Sequence, residues 1–308
     1  MKRRCPVGEK EKALDKIHHF GPVWFVPGRN RGKYPRCHSI YIEGAGILID
    51  PASDKQILTQ LREGPGVREV WLSHWHEDHL AYLDLFDDLP LKMSSKDAPP
   101  LTDIEIFLDW YGMDEAGTRQ AWRKQLREYF HYRPRVPSGF LTPGETINLE
   151  TVTVEVLATP GHTPGHLSFF FKEPEVLFLG DYDLTPFGPY YGELHADIQA
   201  VRDSVEYLSH IPAKVWLTSH ETGVFTQNPG PLWQQFLEVI DQREAKLIEF
   251  LARPRTREEI INAWIAYRKP RQPIESYMVA EWAIMKKHLE RLIANGRAKE
   301  DQGYFSLN

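Results

Sequence analysis

The sequence has few cysteines and no long apolar run. Its 308 residues include 2 cysteines, Cys5 and Cys37. They are too few for a disulfide framework, which favours a reducing compartment. No apolar run is long enough to span a bilayer, and no apolar segment follows the basic start, so neither an anchor nor a signal peptide is expected. We therefore expect a cytoplasmic protein with no membrane partner.

The chain also lacks an excess of positive charge. Its net charge is −6, which argues against a protein that coats nucleic acid over its whole surface, although local basic patches are compatible with it. A Ser-His-Asp arrangement and a phosphate-cradling glycine loop are absent from the sequence as well. The 42% of apolar residues is enough for a sizeable core. At this length we expect one large domain and one small one.

The most informative stretch runs from His74 to His79 and follows an apolar run, Val67 to Leu72, that reads as a short strand. It packs three histidines and two carboxylates into six positions. His74 and His76 are two residues apart and would leave the strand on the same side. Asp78 and His79 would lie in the first turn of a following helix. Imidazole with carboxylate suits zinc, iron or manganese better than magnesium or calcium, so this stretch predicts a metal site.

The pattern His-x-His-x-Asp-His over residues 74–79 resembles the signature of the metallo-β-lactamase superfamily. The resemblance implies three more ligands downstream, each of which follows a predicted strand here: His162, Asp181 and His220. It implies two divalent metal ions, with zinc as the first choice and iron or manganese as alternatives. The first metal would be held by His74, His76 and His162, the second by Asp78, His79 and His220, and Asp181 would bridge them.

The same resemblance implies an α+β fold, in which a metallo-β-lactamase αββα sandwich occupies residues 1–226. Residues 95–135 read as a helical insertion that could form a lid over the site. A segment rich in proline and glycine predicts a boundary before residue 232. Three predicted helices and a hairpin then make residues 232–308 a small winged-helix-like domain.

Several further residues are candidates for substrate binding. A helix expected from about Asp114 to Phe130 carries Arg123 within a basic stripe, which would either meet an anionic substrate group or form a solvated face. Glu221 follows the last histidine, where many family members have glycine, and could add a carboxylate near the second metal. His166 is expected in the pocket or behind the ligands. The aromatic residues after Asp181 form either a pocket wall or the packing of their own loop: Tyr182, Phe187, Tyr190 and Tyr191.

The predicted activity follows from the implied metals. A dinuclear site would use a metal-bound hydroxide, with Asp181 as the bridge and Asp78 orienting the nucleophile, most readily on a small ester, thioester or lactone. The first alternative is a metal-dependent endoribonuclease, favoured by the basic stripe and by the 13 Lys plus Arg against 9 Asp plus Glu in residues 243–308. Another is a non-catalytic metal-containing binding or regulatory protein. A small molecule is thus the favoured partner over nucleic acid, and the oligomeric state, a homodimer included, stays open.

Overall fold

The computed structural model describes residues 16–113 and 116–308. Cys5, the basic start of the chain and Asp114 lie outside these residues. A single turn at Arg29–Gly32 has left-handed backbone at Asn30 and Arg31, so it is not a regular helix. No helix within the described ranges is long and apolar enough to cross a membrane.

The first sheet in the described part of the chain has seven strands in sequence order. Neighbouring strands pair antiparallel from the first to the fourth and in parallel from the fourth to the seventh. The strands are β1 His18–Phe20, β2 Val23–Val26, β3 Ser39–Ile42, β4 Ile47–Ile49, β5 Glu69–Trp71, β6 Leu91–Met93 and β7 Gly139–Phe140.

The second sheet of the described residues has six strands in the order β13-β12-β11-β10-β9-β8. Only β11 and β12 pair in parallel, and the other neighbours are antiparallel. As a result β9, β11 and β12 run in one direction and end at the same edge. The strands are β8 Thr146–Asn148, β9 Thr153–Ala158, β10 Leu167–Phe171, β11 Val176–Phe178, β12 Val215–Leu217 and β13 Val224–Phe225.

Helices cover the outer faces of both sheets, and a small third sheet, in the order β14-β16-β15, lies near the end of the chain. The helices are α1 Lys55–Glu63, α2 Glu77–Leu80, α3 Pro99–Thr102, α4 Ile104–Trp110, α5 Ala116–Glu128, α6 Ile198–Ser209, α7 Pro231–Phe250, α8 Arg257–Asn262 and α9 Ile274–Ala294, with a 3₁₀ turn at Leu83–Phe86. The third sheet consists of β14 Arg255–Thr256, β15 Ala298–Asp301 and β16 Tyr304–Leu307.

The alternation of side chains along the strands produces the layers. On β3, Ile40 and Ile42 join the core between the two sheets, whereas Tyr41 joins the core beneath the helices on the first sheet. On β11, Leu177 faces the helices of the second sheet and its neighbours on the strand face the first sheet. Because successive side chains point to opposite faces, each sheet is buried on both sides. The predicted αββα sandwich is confirmed.

The hydrophobic core outside the second sheet continues into the C-terminal region. One cluster of buried residues includes Leu177 on β11, Val205 on α6, Ile240 on α7, Ile284 on α9 and Phe305 on β16. Residues 232–308 therefore pack their apolar side chains against the sandwich. Burial of apolar area is the main stabilising term in folding, so the two regions stabilise each other.

This shared core predicts that the two regions unfold together. Ile284 is fully buried on α9, and Ile284→Ala should lower the free energy of unfolding by about 2–5 kcal/mol because it leaves a cavity. Denaturant unfolding followed by tryptophan fluorescence and by far-UV circular dichroism should give one shifted, coincident transition. Two separate transitions, of which only one responds to Ile284→Ala, would contradict the prediction.

Candidate metal centre

The ends of four strands bring the candidate ligands to one edge of the sandwich. His74 and His76 follow β5, and His162, Asp181 and His220 follow β9, β11 and β12. The backbone N–H of Leu167 at the start of β10 donates to the carbonyl of Ser73 at 2.9 Å. This hydrogen bond joins the end of β5 in the first sheet to the second sheet directly beside the histidines.

The stretch 74–79 has the local structure that the sequence predicts. β5 ends at Trp71, and His76 is the residue before α2, with extended backbone. Asp78 and His79 lie within α2, whose short length gives it a single turn. The strand end and the helix start thus direct His74, His76, Asp78 and His79 into one buried space.

Asp181 lies at the centre of this space, and its two carboxylate oxygens face different histidines. Oδ2 lies 3.2 Å from His162 Nε2 and 3.9 Å from His74 Nε2. Oδ1 lies 2.9 Å from His79 Nε2 and 3.4 Å from His220 Nε2. A carboxylate placed in this way can contribute one oxygen to each of two donor groups.

The donor atoms fall into groups whose members lie within 4.8 Å of one another. One group contains His74, His76, His162 and Asp181, and another contains Asp78, His79 and His220. A third consists of Asp181, Asp183 and His220. The seven residues that the sequence predicts as ligands are therefore all brought together, and Asp183 is an additional donor beside them.

Hydrogen bonds at the far nitrogen orient several of the imidazoles. Nδ1 of His162 lies 2.9 Å from the carbonyl of Tyr190, Nδ1 of His79 lies 2.9 Å from Asp50 Oδ2, and Nδ1 of His220 lies 3.1 Å from the carbonyl of Arg36. These oxygens only accept, so each Nδ1 carries the proton. The Nε2 lone pair of each ring then points into the cluster, as a metal ligand requires.

Asp50 supports two of these rings from a fully buried position at the end of β4. Its Oδ2 accepts from the Ser73 hydroxyl at 2.7 Å as well as from His79, and its Oδ1 accepts from the Ser73 backbone N–H at 2.8 Å. Because the Ser73 hydroxyl donates to Asp50, its oxygen is free to accept from His74 Nδ1, which lies 3.0 Å away. Asp50 thus fixes His79 directly and His74 through Ser73.

The chemistry of this cluster fits divalent metal ions. Among the described residues, the buried atoms His76 Nε2, His79 Nε2 and Asp181 Oδ1 have no well-directed hydrogen-bond partner, and buried polar atoms without partners are costly. Burial lowers the pKa of both His74 and His76 well below the usual value, and neighbouring imidazoles lower it further. For His79, His162 and His220 burial also lowers the pKa, but the Asp181 carboxylate helps to outweigh it, so their pKa is raised. A bound cation would take the place of the protons that this carboxylate attracts, and imidazole with carboxylate is the donor set that zinc, iron or manganese accepts.

The loop that carries His162 is held by Asp97, a residue that sequence reasoning missed. The fully buried carboxylate of Asp97 accepts from the Thr163 hydroxyl at 2.5 Å and from the Gly165 backbone N–H at 2.6 Å. A Cβ at position 165 would lie 2.6 Å from Asp97 Oδ1, so only glycine fits there. No local motif marks Asp97, because its partners lie 66 and 68 residues away along the chain.

His166 lies behind Asp181, one of the two positions expected from the sequence. Its Nε2 accepts from the backbone N–H of Asp181 at 3.2 Å, and its Nδ1 lies 2.8 Å from the Thr159 hydroxyl. Burial lowers the pKa of His166 to about 3, and the nearby His162 lowers it too, so the ring is neutral and can accept. His166 therefore orients the backbone at Asp181.

Only one ring of the aromatic loop lies beside the cluster. The Tyr190 ring centroid lies 6.0 Å from that of His162 and 6.1 Å from that of His76. Tyr182 is buried and donates to the carbonyls of Thr159 and Pro160. The pocket-wall interpretation therefore suits Tyr190 but is wrong for Tyr182, whose hydroxyl is already used in packing.

Phe187 and Tyr191 also pack inward, against the C-terminal region. The Phe187 ring contacts the Arg243 guanidinium and the Tyr267 ring. Tyr191 is fully buried, and its hydroxyl lies 2.9 Å from His288 Nε2. Both residues serve the packing of the loop rather than a substrate wall, which corrects the expectation for them.

Arg123 and Glu221 are both paired with other side chains. Arg123 forms a two-point contact with Glu105 on α4, at 2.5 Å from Nε and 2.8 Å from Nη2. Glu221 has left-handed backbone and forms ion pairs with Lys33 at 3.2 Å and Arg31 at 3.6 Å. The expected roles, an anion contact by Arg123 and an extra carboxylate at the metals from Glu221, are not supported, because the charge of each side chain is compensated elsewhere.

A cleft of about 80 Å³ opens beside the cluster, between the insertion and α9. Tyr111 lines it and stacks on His76, with 5.5 Å between the ring centroids. The Tyr111 hydroxyl donates to the buried carboxylate of Glu77, which also accepts from the Tyr34 hydroxyl at 2.9 Å. The other wall carries positive charge and an indole ring, from Arg257, Trp282, Lys286 and Lys287. Glu193 and Glu290 line the cleft as well, so three basic side chains stand beside two acidic ones. Tyr111 is the residue that contacts both the cleft and the metal cluster.

A family model described as the metallo-beta-lactamase superfamily matches residues 35–220, which is more than half of the chain. The chain belongs to the metallo-β-lactamase superfamily. The matched segment runs from the turn after β2 to His220 and so contains all seven predicted ligands of the family.

Curated relatives of this superfamily member include one protein named as a hydrolase and one named as a thioesterase. The hydroxyacylglutathione hydrolase of Thermosynechococcus vestitus is 28% identical over 58% of this chain and 59% of its own length. The acyl-coenzyme A thioesterase MBLAC2 of Gallus gallus is 27% identical over 52% of this chain and 56% of its own length. The chain thus spans less than two thirds of these relatives.

Solved structures share the fold over nearly the whole chain. A metallo-beta-lactamase family protein from Thermus thermophilus has a TM-score of 0.73 and 20% identity, and the match covers 93% of this chain and 99% of that one. A beta-lactamase domain protein from Burkholderia ambifaria has a TM-score of 0.68 and 16% identity, with 95% of this chain and 93% of that one covered. At these identities the likeness shows the superfamily fold alone.

The hydrogen bonds of Asp50 predict a measurable effect on metal affinity. Asp50→Asn replaces an acceptor oxygen by an amide that donates, so His79 and Ser73 cannot both keep their partners. Zinc affinity, measured by competition with a chromophoric chelator, should fall by about 10–100-fold, as for other partners of metal-bound histidines. Asp54→Asn is the matched control, because Asp54 caps α1 and asparagine caps helices equally well. Equal zinc affinities in the two variants would contradict this role of Asp50.

Proposed function

We propose that the protein is a dinuclear metal-dependent hydrolase that acts on a small ester, thioester or lactone. The observation that carries the proposal is the placement of Asp181, whose two carboxylate oxygens face separate groups of donors. His74, His76 and His162 would hold the first ion, Asp78, His79 and His220 the second, and Asp181 would be shared. The geometry supports either zinc, iron or manganese, with zinc proposed first because its ligands are mainly imidazoles.

Divalent ions bound in this way act as Lewis acids and lower the pKa of water toward neutrality. The protein's own residues would prepare the site for this chemistry. Asp78 lies at the rim of the second donor group, with Oδ2 at 3.6 Å from His220 Nε2, and would orient the attacking water as well as ligate. Tyr190 would limit the space above His162 and thus direct the substrate carbonyl toward the donors.

A thioester is the substrate class that the cleft favours. The thiol halves of such molecules commonly carry carboxylate or phosphate groups, and the wall of the cleft offers Lys286, Lys287 and Arg257. Lys287 is held by the carbonyl of Leu194 at 2.7 Å, and Arg257 lies over the Trp282 ring. Lys286 has only a 3.8 Å contact with Glu290, so its charge is the one most available to a ligand. The acyl-coenzyme A thioesterase among the relatives supports the same class.

We further propose two structural units with the boundary expected from the sequence, residues 1–226 and 232–308. The helices and strands of the second unit follow in the order α7, β14, α8, α9, β15 and β16. Three helices with a small sheet are compatible with a winged-helix-like arrangement. Its third helix, α9, buries one face, and we propose on this basis that the unit serves packing rather than nucleic-acid binding. The buried residues of α9 are Glu281, Ile284, Met285, His288, Leu289 and Leu292.

A substrate panel tests the proposed reaction. Zinc-loaded protein should hydrolyse acyl-glutathione, acyl-CoA or a lactone, and leave single-stranded RNA intact. Asp181→Asn removes the ligand that the two ions would share, so it should lower the number of zinc ions bound. It should also reduce the turnover by more than about 100-fold, which is the loss expected when a hydrogen-bond partner of a metal ligand is removed. Cleavage of RNA alone, or turnover that Asp181→Asn leaves unchanged, would contradict the proposal. If the protein binds two zinc ions but turns over none of the four substrates, a non-catalytic role would be favoured.

The cleft generates a separate prediction about the anionic half of the substrate. Lys286→Ala should raise KM for the charged thioester by up to about fivefold, the range of an exposed ion pair, with little change in kcat. For an uncharged ester KM should not change. Lys299→Ala on the exposed strand β15 is the control, since it removes a surface lysine that does not line the cleft. An equal effect of the two variants on KM would show that the cleft does not bind the anionic group.

A further inference from the structure

We propose that Arg243, on the C-terminal helix α7, is a positioning residue for the metal centre: it holds the loop 187–191 so that the Tyr190 carbonyl fixes the imidazole of His162. This inference rests on the proposed role of His162 as a metal ligand. The C-terminal region would then help to orient a metal ligand, although Arg243 lies far from His162 along the chain.

Arg243 is a buried cation whose charge is not paired with a carboxylate in an ion pair of the described residues. The residue is 2% exposed, and a buried arginine is rare unless it is paired. The ion pairs found among residues 16–113 and 116–308 do not include it. The nearby buried carboxylate of Glu281 already accepts from the backbone N–H groups of Ala266 and Tyr267.

All of the oxygens that accept from Arg243 belong to the loop 187–191. Nη2 donates to the carbonyl of Phe187 at 2.7 Å, and Nη1 donates to the carbonyl of Pro189 at 2.8 Å and to the Tyr191 hydroxyl at 3.1 Å. The guanidinium also lies over the Phe187 ring, 4.6 Å from its centroid. One rigid, planar cation therefore binds the backbone at two points and a side chain at a third.

Two further contacts hold the same loop. Gly188 has a φ of +79°, and a Cβ there would lie 2.5 Å from Val239 Cβ on α7, so the backbone packs directly against this helix. The Tyr191 hydroxyl donates to His288 Nε2 on α9 at 2.9 Å, and His288 Nδ1 lies 3.4 Å from Glu244. The loop is thus held between two helices of the C-terminal region.

The residue between these contacts reaches the metal centre. Tyr190 stands between Pro189 and Tyr191, both bound by Arg243, and its carbonyl accepts from His162 Nδ1 at 2.9 Å. This bond keeps the proton on Nδ1 and directs Nε2 toward Asp181 and His74. Release of the loop would let the ring rotate or change tautomer. The effect would then concern the site of His74, His76 and His162 and would leave the second site intact.

Zinc titration of variants tests the inference. Arg243→Lys keeps the charge but cannot bind both carbonyls in the same fork, and Arg243→Met removes the charge as well. We expect one zinc to bind with unchanged affinity and the other to bind about 10–100-fold more weakly in Arg243→Lys, with a larger loss in Arg243→Met. Burial lowers the pKa of His162 but the nearby Asp181 raises it overall, so the ring ¹⁵N shifts of His162 in the metal-free protein are compared at a pH high enough to make the ring neutral. There they should report a loss of the single Nδ1–H tautomer.

A matched control separates positioning from general loosening of the helices. Arg202 on α6 pairs with Asp241 on α7 at 2.6 Å, so Arg202→Met weakens the attachment of the same helix at the surface. This variant should bind both zinc ions as the original protein does. If the Arg243→Met variant does not fold, the zinc affinities and His162 shifts of the Arg243→Lys and Tyr191→Phe variants test the inference instead. Unchanged affinity for both ions and unchanged His162 shifts in these folded variants would overturn the inference, as would an equal loss at both sites.

The readouts also separate this inference from the proposed hydrolysis. Zinc affinity and ¹⁵N shifts are measured without substrate, so a protein that binds two zinc ions and hydrolyses nothing would still test Arg243. If the original protein does not bind zinc at the site of His162, both the inference about Arg243 and the proposed hydrolase function would be overturned.

Discussion

Five imidazoles and the Asp78 carboxylate converge in the buried space around Asp181, and this convergence requires that the rings be held on their far side. An imidazole that is free to rotate would turn its lone pair toward another hydrogen-bond donor, because buried polar atoms in proteins are nearly always hydrogen-bonded. In this protein the far nitrogen of four of the five rings contacts an acceptor: Asp50 for His79, Ser73 for His74, and backbone carbonyls for His162 and His220. The direction of the lone pairs is therefore a property of the surrounding fold.

These acceptors come from distant parts of the fold, which explains why both sheets and the C-terminal region are needed. Asp50 ends a strand of the first sheet, whereas the carbonyl of Tyr190 belongs to a loop attached to α7 and α9. Asp97 in the insertion holds the loop of His162, and α4 packs Phe107 against Trp75 beside His76. The insertion is thus part of the frame of the site, and its contacts are those of a packed layer rather than of an open lid.

The short strands and the ligand stretch 74–79 could be predicted from local patterns, whereas the sandwich and the ligands His162, Asp181 and His220 were implied by the family resemblance that this stretch carries. Strand periodicity and the spacing of His74, His76, Asp78 and His79 are visible within a few residues. The outer contacts are not, since His79 and Asp50 are 29 residues apart and Arg123 and Glu105 are 18 apart. The aromatic loop shows the same limit. Its composition predicts buried rings, but the side on which Tyr182 and Tyr191 are buried depends on partners far along the chain.

The basic residues of the C-terminal region also have partners that are distant along the chain. These partners bear on the choice between a small substrate and RNA. A binding track for RNA needs cations that are free to meet phosphates. Here the cations are largely engaged within the protein: Arg243 in the loop 187–191, Lys287 on Leu194, and Arg291 and Arg297 on Glu244. On α5, Arg119 and Arg123 share Glu105. Several of the basic residues of the C-terminal region are thus engaged in contacts within the protein, and Lys286 at the cleft offers a local contact suited to one anionic group of a small molecule.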